Sequence, residues 1–515
     1  ADHLPVGEVL AGKGLLPMFG FPTNVSRLFT AWPRASDWPP THNVIDRDDD
    51  VAISQFAPGA QTVKDDHLHT SVGVVDYRPR VVDGRRRIVP EPDPLDRGRV
   101  EVGVCRSCQA LVEGADLDHA RANGCCPFCT TSLAESTFRI VDVCEPPGYT
   151  TWYAISERAE FTGGFEFTPR ALRARIANRP RHYSDRRNFA VASGLEEVRL
   201  INDNNGHDFT FRKFERSDVW VVEDAVEQAK RDLSRADQRA ITIRYDVGVA
   251  PESRAFSSTS VTDVLSVGIR EAQVGLCLNP VVVEARAAWY SFGFLLRRAA
   301  ASWLDVSEDE LNLGIETIHD FFVPFAPPSA RLFMSDDLDN GAGYCSHLGE
   351  PERLEDLLGF TSDPNSPFLS ELVAEPHRID CESSCHRCMR GYGNMVFHPL
   401  LDWRTGLDMV RLALSPDAEI DFEQEHWTSM VHGQHSLVSR YLAALGFERE
   451  DLEGLPAGRK TVLGVEISLL LTHPLWDRDP ENWRSDVAAA IARGGRLGRV
   501  VIPHSIFRAV RAPYD

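Results

Sequence analysis

The sequence predicts an α+β, multi-domain protein, with a strand-rich N-terminal half carrying a small cysteine-rich insert and a mixed α/β C-terminal half. Three observations carry this. The chain has 515 residues, several times the roughly 100–200 of one domain. Its first half alternates short apolar runs with turns rich in Gly, Pro and Asp, whereas the long amphipathic stretches fall in the second half. Its 11 cysteines are not dispersed: five lie in 105–129 and three in 381–388.

Residues 1–100 form a strand-rich region, in which "DVAISQFAPG" (50–59) and "HTSVGVVDYRP" (69–79) read as strands ended by turns. Residues 101–145 hold the first cysteine cluster. Residues 146–280 are again strand-rich and dense in arginine, with a helix expected over 219–233 and a hairpin over 201–214 turning at Asn204–Gly206. Residues 281–415 open with the strongest helical stretch, "VVVEARAAWYSFGFLLRRAAASWLDV" (281–306), after Pro280. Strands over 310–318 and 331–337, the second cysteine cluster and an amphipathic helix over 399–414 follow. Residues 416–515 read as a small α/β unit, with strands at 461–471 and 499–504 around a helix at 485–495.

The cysteine spacings point to metal. Cys105 and Cys108, then Cys126 and Cys129, form two C-x2-C pairs, the zinc-ribbon arrangement. A two-residue spacer lets one tight turn present both sulfurs, and two such turns close a tetrahedron. Four thiolates leave no open coordination position, so this zinc is structural. Cys125 lacks the spacing to Cys129 and is the spare. "CESSCHRCMRGYGN" supplies Cys381, Cys385 and Cys388 and needs a fourth donor. Cys345, His347, His386 and His398 are the candidates weighed. His386 lies between two ligands and His398 precedes Pro399. Cys345, in a Gly-rich turn after a strand, is the expected ligand. The fold class is thus completed by an inserted zinc ribbon and a second four-cysteine zinc site, with two structural Zn²⁺. Clustered, unpaired thiols in a chain of this size also imply a reducing cytoplasm.

Complete catalytic motifs are absent from the sequence. "GLPAGRKT" (454–461) departs from the P-loop spacing, and no G-x-S-x-G or H-E-x-x-H occurs. Glu466 and Asp477 leave open a metal-dependent nuclease in the C-terminal unit. The net charge of −21 excludes a uniformly basic DNA-coating protein. No run of about 18 apolar residues marks a membrane span. The chain begins at Ala1 without a charged-then-apolar leader, so part of its N-terminus is expected to be missing. One basic stretch stands out: Arg170, Arg173, Arg175, Arg179 and Arg181, followed by Arg186 and Arg187, with Phe165, Phe167 and Tyr183 among them. Lys213 and Arg212 extend it. Arginine with interleaved aromatics suits a nucleic-acid backbone with stacked bases; pairing with the chain's abundant acids is the alternative.

Several blocks together resemble a known family. "GLLPMFGFPTNV" (14–25), "AISQFAPG" (52–59), "CEPPGY" (144–149), "FEFTPRALRAR" (165–175), "INDNNG" (201–206), "AAWYSFGFLLRRAAA" (287–301), "NGAGYCSHLG" (340–349) and "CESSCHRCMRGYGN" with "HPLLDWRTGL" are similar to the DrmB family. These are the helicase-associated subunits of the bacterial DISARM anti-phage system. The region of Cys345 to Cys388 also resembles the four-cysteine domain of MrfA-type helicases, which maps its zinc ligands onto Cys345, Cys381, Cys385 and Cys388. The resemblance implies a partner role beside a DrmA-like superfamily-2 helicase that engages DNA with single-stranded ends. A methyltransferase and a phospholipase-D-like nuclease belong to such systems. Family members usually carry a longer segment before "GLLPMFG".

Two functions therefore stand as expectations. One is a non-catalytic zinc-binding accessory subunit of a defence helicase. The other is a nuclease whose site lies in the C-terminal unit.

Overall fold

The computed structural model describes residues 25–152, 172–176 (backbone), 182–215, 217–231, 244–319, 327–433 and 435–511. Its spine is the strand Glu252–Ile269, 18 residues long. This stretch is rich in Ser, Thr and Val, residues that suit a pleated surface. Along one edge it pairs antiparallel with Phe189–Asn202 through every residue of that strand, and then with Phe209–Lys213. The opposite edge takes Ser329–Asp336 at one end and Phe138–Cys144 at the other. A 16-stranded sheet grows from this spine, reaching Val44–Asp48 on one side and Leu111–Val112 on the other. Strands from 1–100, 101–145, 146–280 and 281–415 share it, so the expected boundaries at 100, 145 and 280 all fall within one sheet.

The helix Val283–Leu304 lies against the sheet. Small and aromatic residues cover nearly every face of it, from Ala285 through Trp289, Phe292, Leu295 and Ala299. A helix apolar all round must be buried all round. The strands Leu311–Ile318 and Ser329–Asp336 and the helices Pro351–Ser362 and Trp403–Leu414 enclose it. The crossing with Trp403–Leu414 is close because Gly406 has no side chain: a Cβ there would sit 2.8 Å from the Ser291 carbonyl oxygen.

The strand-rich N-terminal half and mixed α+β architecture are as expected. The helices over 281–306, 399–414 and 485–495 appear as Val283–Leu304, Trp403–Leu414 and Ser485–Arg496. Three local readings are corrected. Residues 50–59 begin with a helix, Asp49–Gln55, and not a strand. Asp49 and Asp50 occupy its first turn, where carboxylates favour the positive end of the helix dipole, and the Asp50 carboxylate accepts the Val51 N–H. The single strand expected at 461–471 is two, Leu455–Val462 and Val465–Thr472, joined through Leu463 (φ 52°) and Gly464 (φ 82°). Two consecutive positive φ values make the tight turn that antiparallel strands favour. Residues 201–214 do not form a hairpin: Phe189–Asn202 and Phe209–Lys213 run in succession along the same partner, Glu252–Ile269, and residues 203–208 loop out between them.

The C-terminal unit has its own four-stranded sheet, in the order Glu448–Leu452, Leu455–Val462, Val465–Thr472, Val500–Ser505. Trp427, Leu442, Leu470, Trp476 and Ile506 fill its separate core.

Candidate metal centres and the basic stretch

The first centre forms between the strand Val100–Cys105 and the helix Gly114–Asn123. Cys105, Cys108, Cys126 and Cys129 bring their sulfurs within 4.8 Å of one another. Cys105 and Cys129 are 3.5 Å apart, and Cys108 and Cys126 3.8 Å. Mutual hydrogen bonds, first with Cys105, hold the Cys129 thiol below its ordinary pKa and push those of Cys108 and Cys126 above theirs. Cys125 stands outside the group, its backbone bridging to Ser132.

Buried contacts aim this knuckle. Arg286, from the central helix Val283–Leu304, donates to the carbonyls of Ser107 (2.9 Å) and Arg106 (3.4 Å). Thr317 donates to the Cys108 carbonyl. The looped-out residues 203–208 grip the other side, with Arg106 donating to Asp203 and Arg139 to the Gly206 carbonyl and Asp208. The "INDNNG" block is thus an anchor for the ribbon.

The second centre consists of His377, Cys381, Cys385 and Cys388, whose donor atoms again lie within 4.8 Å of one another. Cys388 is 3.9 Å from both Cys381 and Cys385. The Cys385 N–H donates to the Cys388 sulfur (3.0 Å) and the Arg387 N–H to the Cys385 sulfur (3.3 Å), which aims both sulfurs at the centre of the group. His377 Nδ1 donates to the Leu372 carbonyl at 2.7 Å, which leaves the lone pair on Nε2. That Nε2 is buried and faces the Cys381 thiol. A carbonyl that fixes the tautomer while the far nitrogen faces the thiols is the usual outer-shell arrangement of a metal-binding histidine.

Cys345, the expected fourth donor, is not in this group. It heads the short helix Tyr344–Leu348, where buried Asp336 accepts the N–H groups of Ala342, Tyr344 and Cys345. Its thiol faces the same carboxylate. Burial first, then Asp336, pushes that thiol well above its ordinary pKa. The "NGAGYC" block is therefore a carboxylate-capped turn. His398 is engaged too, its Nε2 meeting Asn394 Oδ1 at 2.8 Å. His377, four residues before Cys381, is the donor that the sequence reading misses; its signal is the spacing H-x3-C-x3-C-x2-C.

Buried Arg404 holds this knuckle as Arg286 holds the first. It donates to the carbonyls of Cys381 (2.8 Å), Arg378 (2.8 Å) and His426 (2.8 Å) while lying over the Trp403 ring. Both clusters have donor sets suited to zinc, one of four thiols and one of three thiols with an imidazole.

The basic stretch is only partly placed. Arg170, Arg179 and Arg181, with Phe165 and Phe167, lie outside the described residues, and Arg173 and Arg175 are known by backbone, in Leu172–Ile176 opposite Ile201 and Arg199. Its described side chains are engaged. Arg186 and Arg187 both pair with Glu355. Tyr183, expected to offer a face to bases, lies 3.8 Å beneath the Arg331 guanidinium. Lys213 pairs with Asp218 at 2.5 Å, and Arg212 with Glu223 at 3.1 Å. In the C-terminal unit Glu466 pairs with Arg499, and Asp477 accepts the Asp479 N–H and the Asn482 side-chain amide. Neither carboxylate joins a donor cluster among the described residues. Lys460 of the P-loop-like stretch donates to the Leu445 carbonyl.

No protein-family model matches the chain, and no curated protein matches it by sequence. Among solved structures it is similar to the DUF1998 helicase MrfA bound to DNA, at 10% identity and a TM-score of 0.28, over 74% of this chain and 40% of that one. Against MrfA bound to DNA and AMPPNP the identity is 9% and the TM-score 0.22, over 66% and 31%. The chain thus spans well under half of the helicase, and a likeness of this size says nothing of activity. No helix among the described residues is long and apolar enough to cross a membrane.

Proposed function

We propose that the chain is a non-catalytic, zinc-binding accessory subunit. In this reading it binds a superfamily-2 helicase of the DrmA type and helps it engage phage or foreign DNA bearing single-stranded ends. The observation that carries this is the character of the two clusters. Each has four donors and no position left for substrate, and each is locked to the main core by an arginine that donates to its knuckle carbonyls. Such metal shapes a surface and does no chemistry. The blocks that resemble DrmB supply the partner class, with a nuclease and a methyltransferase as further members of the system in the cytoplasm. The net charge of −21 suits docking on a basic motor protein. Arg170, Arg173, Arg175, Arg179 and Arg181 are the residues assigned to DNA.

Co-expression with a DrmA-like helicase tests this. The expected result is a joint peak on size exclusion, about two zinc ions per chain as two closed sites require, and tighter binding of a 5′-overhang duplex than by the helicase alone. A chain that elutes alone with its zinc intact overturns the partner role. Cleavage of DNA lost on Glu466→Gln would replace it with the nuclease.

A further inference from the structure

A cavity of about 670 Å³ opens where the C-terminal end of the central helix meets Pro351–Ser362. Its apolar side is aromatic. Trp303, on the last turn of Val283–Leu304, is 43% exposed despite its size. Its indole meets Phe360 edge-on at 4.9 Å, and Phe360 rests on Phe368. Gly359 leaves the space open: a Cβ there would meet no atom within 4 Å. The rim is acidic. Glu355 is held by Arg186 and Arg187, but Asp356 on the same helix is exposed and enters no hydrogen bond or ion pair among the described residues. Asp363, which closes the helix, is also exposed, with Oδ1 on the Asn365 amides.

Exposed indole beside carboxylates that enter no ion pair among the described residues is the chemistry that holds a guanidinium or an ammonium group. The ring face attracts the cation, and the carboxylate oxygens accept its N–H donors. Arginine fits better than lysine, because its planar head stacks on a ring while its edge serves Asp356 and Asp363. The acids weigh against a nucleic-acid strand, whose phosphates they repel. We propose that this cavity is a docking site for an arginine side chain in a basic segment of a protein partner. The proposal deepens the accessory-subunit reading by giving the partner's contact a chemistry, and it rests on that reading only for the partner's class.

The test needs no helicase, so the two can fail separately. A fluorescein-labelled peptide, Gly-Gly-Arg-Gly-Arg-Gly-Gly, is titrated with the full chain at low salt and followed by anisotropy, beside its citrulline analogue and dT12. Binding of the arginine peptide is expected to weaken about tenfold with citrulline, with Trp303→Ala, and with Asp356→Asn combined with Asp363→Asn. Gly359→Leu, whose Cβ meets no atom within 4 Å and whose side chain enters the cavity, is expected to abolish it while the melting temperature holds. Arginine-peptide binding that survives Trp303→Ala or Gly359→Leu is diffuse attraction to an acidic surface and overturns the proposal. So does the absence of binding, or dT12 binding that needs Trp303, which would make the cavity a base-stacking platform.

Discussion

Asp408 accepts the Nε2–H of His473 at 3.0 Å, with both side chains fully buried. The bond joins the helix Trp403–Leu414 to the loop after Val465–Thr472, and so fastens the C-terminal unit to the main core. The Leu475 N–H donates to His473 Nδ1 at 3.1 Å, which turns Nε2 towards Asp408. His426 (2.8 Å) and the Trp427 indole (2.7 Å) donate to the same carboxylate. Burial alone would raise the pKa of Asp408, but His426 and His473 more than offset it and hold it well below the usual carboxylate range.

Replacing Asp408 with Asn removes the charge and sets an amide N–H2 where a carboxylate oxygen accepted from buried donors. Breaking a buried charged network costs about 3–5 kcal/mol. The expected outcome is a lower melting temperature, with faster hydrogen exchange in 425–431 and 465–475 while the exchange of Val283–Leu304 holds. The wild type also carries a pH signature. A carboxyl whose folded pKa is depressed contributes stability that is present above its unfolded value of about 3.9 and is lost as pH falls through the folded value. Denaturant midpoints between neutral pH and pH 3 are expected to fall more steeply for the wild type than for Asp408→Asn.

His377 and Cys345 make opposite predictions for metal content. Metal analysis of purified His377→Ala is expected to find about one zinc per chain, and Cys345→Ser about two, as one open and two closed sites require. Equal loss in both would return Cys345 to the ligand set.

Arg404→Met keeps the length of a buried side chain and removes all of its donors. The carbonyls of Arg378, Cys381 and His426 are then left without it, at about 1–3 kcal/mol for each group that water cannot reach. Zinc retention in the presence of a competing chelator is expected to shorten, because the knuckle loses its support. Arg286→Met is expected to do the same to the first centre.

Gly406→Ala places a carbon 2.8 Å from the Ser291 carbonyl oxygen, where neither helix backbone can yield locally. Overpacking of this kind costs about 1–3 kcal/mol. Thermal unfolding should show that loss, whereas Gly359→Ala, with open space at its Cβ, should leave stability unchanged or raised.

How much of this was legible in the sequence depends on how local the cause is. The ribbon cysteines were readable because two residues of spacer are enough to bring paired sulfurs together. The helix Val283–Leu304 was readable because its length and all-round apolarity leave few alternatives. The helix Asp49–Gln55 was not, since "VAIS" follows no clear period and the acids that favour its first turn read equally well as a solvated loop. The turn at Leu463–Gly464 was hidden because it lacks the Asn or Asp that usually marks such a hairpin. The roles of Arg286 and Arg404 could not be read at all. An arginine is assigned to the surface until tertiary contact shows which carbonyls it serves, and the same holds for the Leu372 carbonyl that sets the tautomer of His377.

The pairing of Phe189–Asn202 with Glu252–Ile269 has a mechanical consequence. Its register runs unbroken over 14 residues, and the spine itself, at about 3.4 Å per residue, extends about 60 Å. Tension along that axis must shear the whole ladder together, whereas tension across it would unzip one rung at a time. The C-terminal unit is fastened differently, by the bridge of Leu276 with Trp476, the ion pairs of Glu284 with Arg478 and Arg508, and the buried Asp408–His473 bond. The spine is therefore stiff along its length and compliant across it.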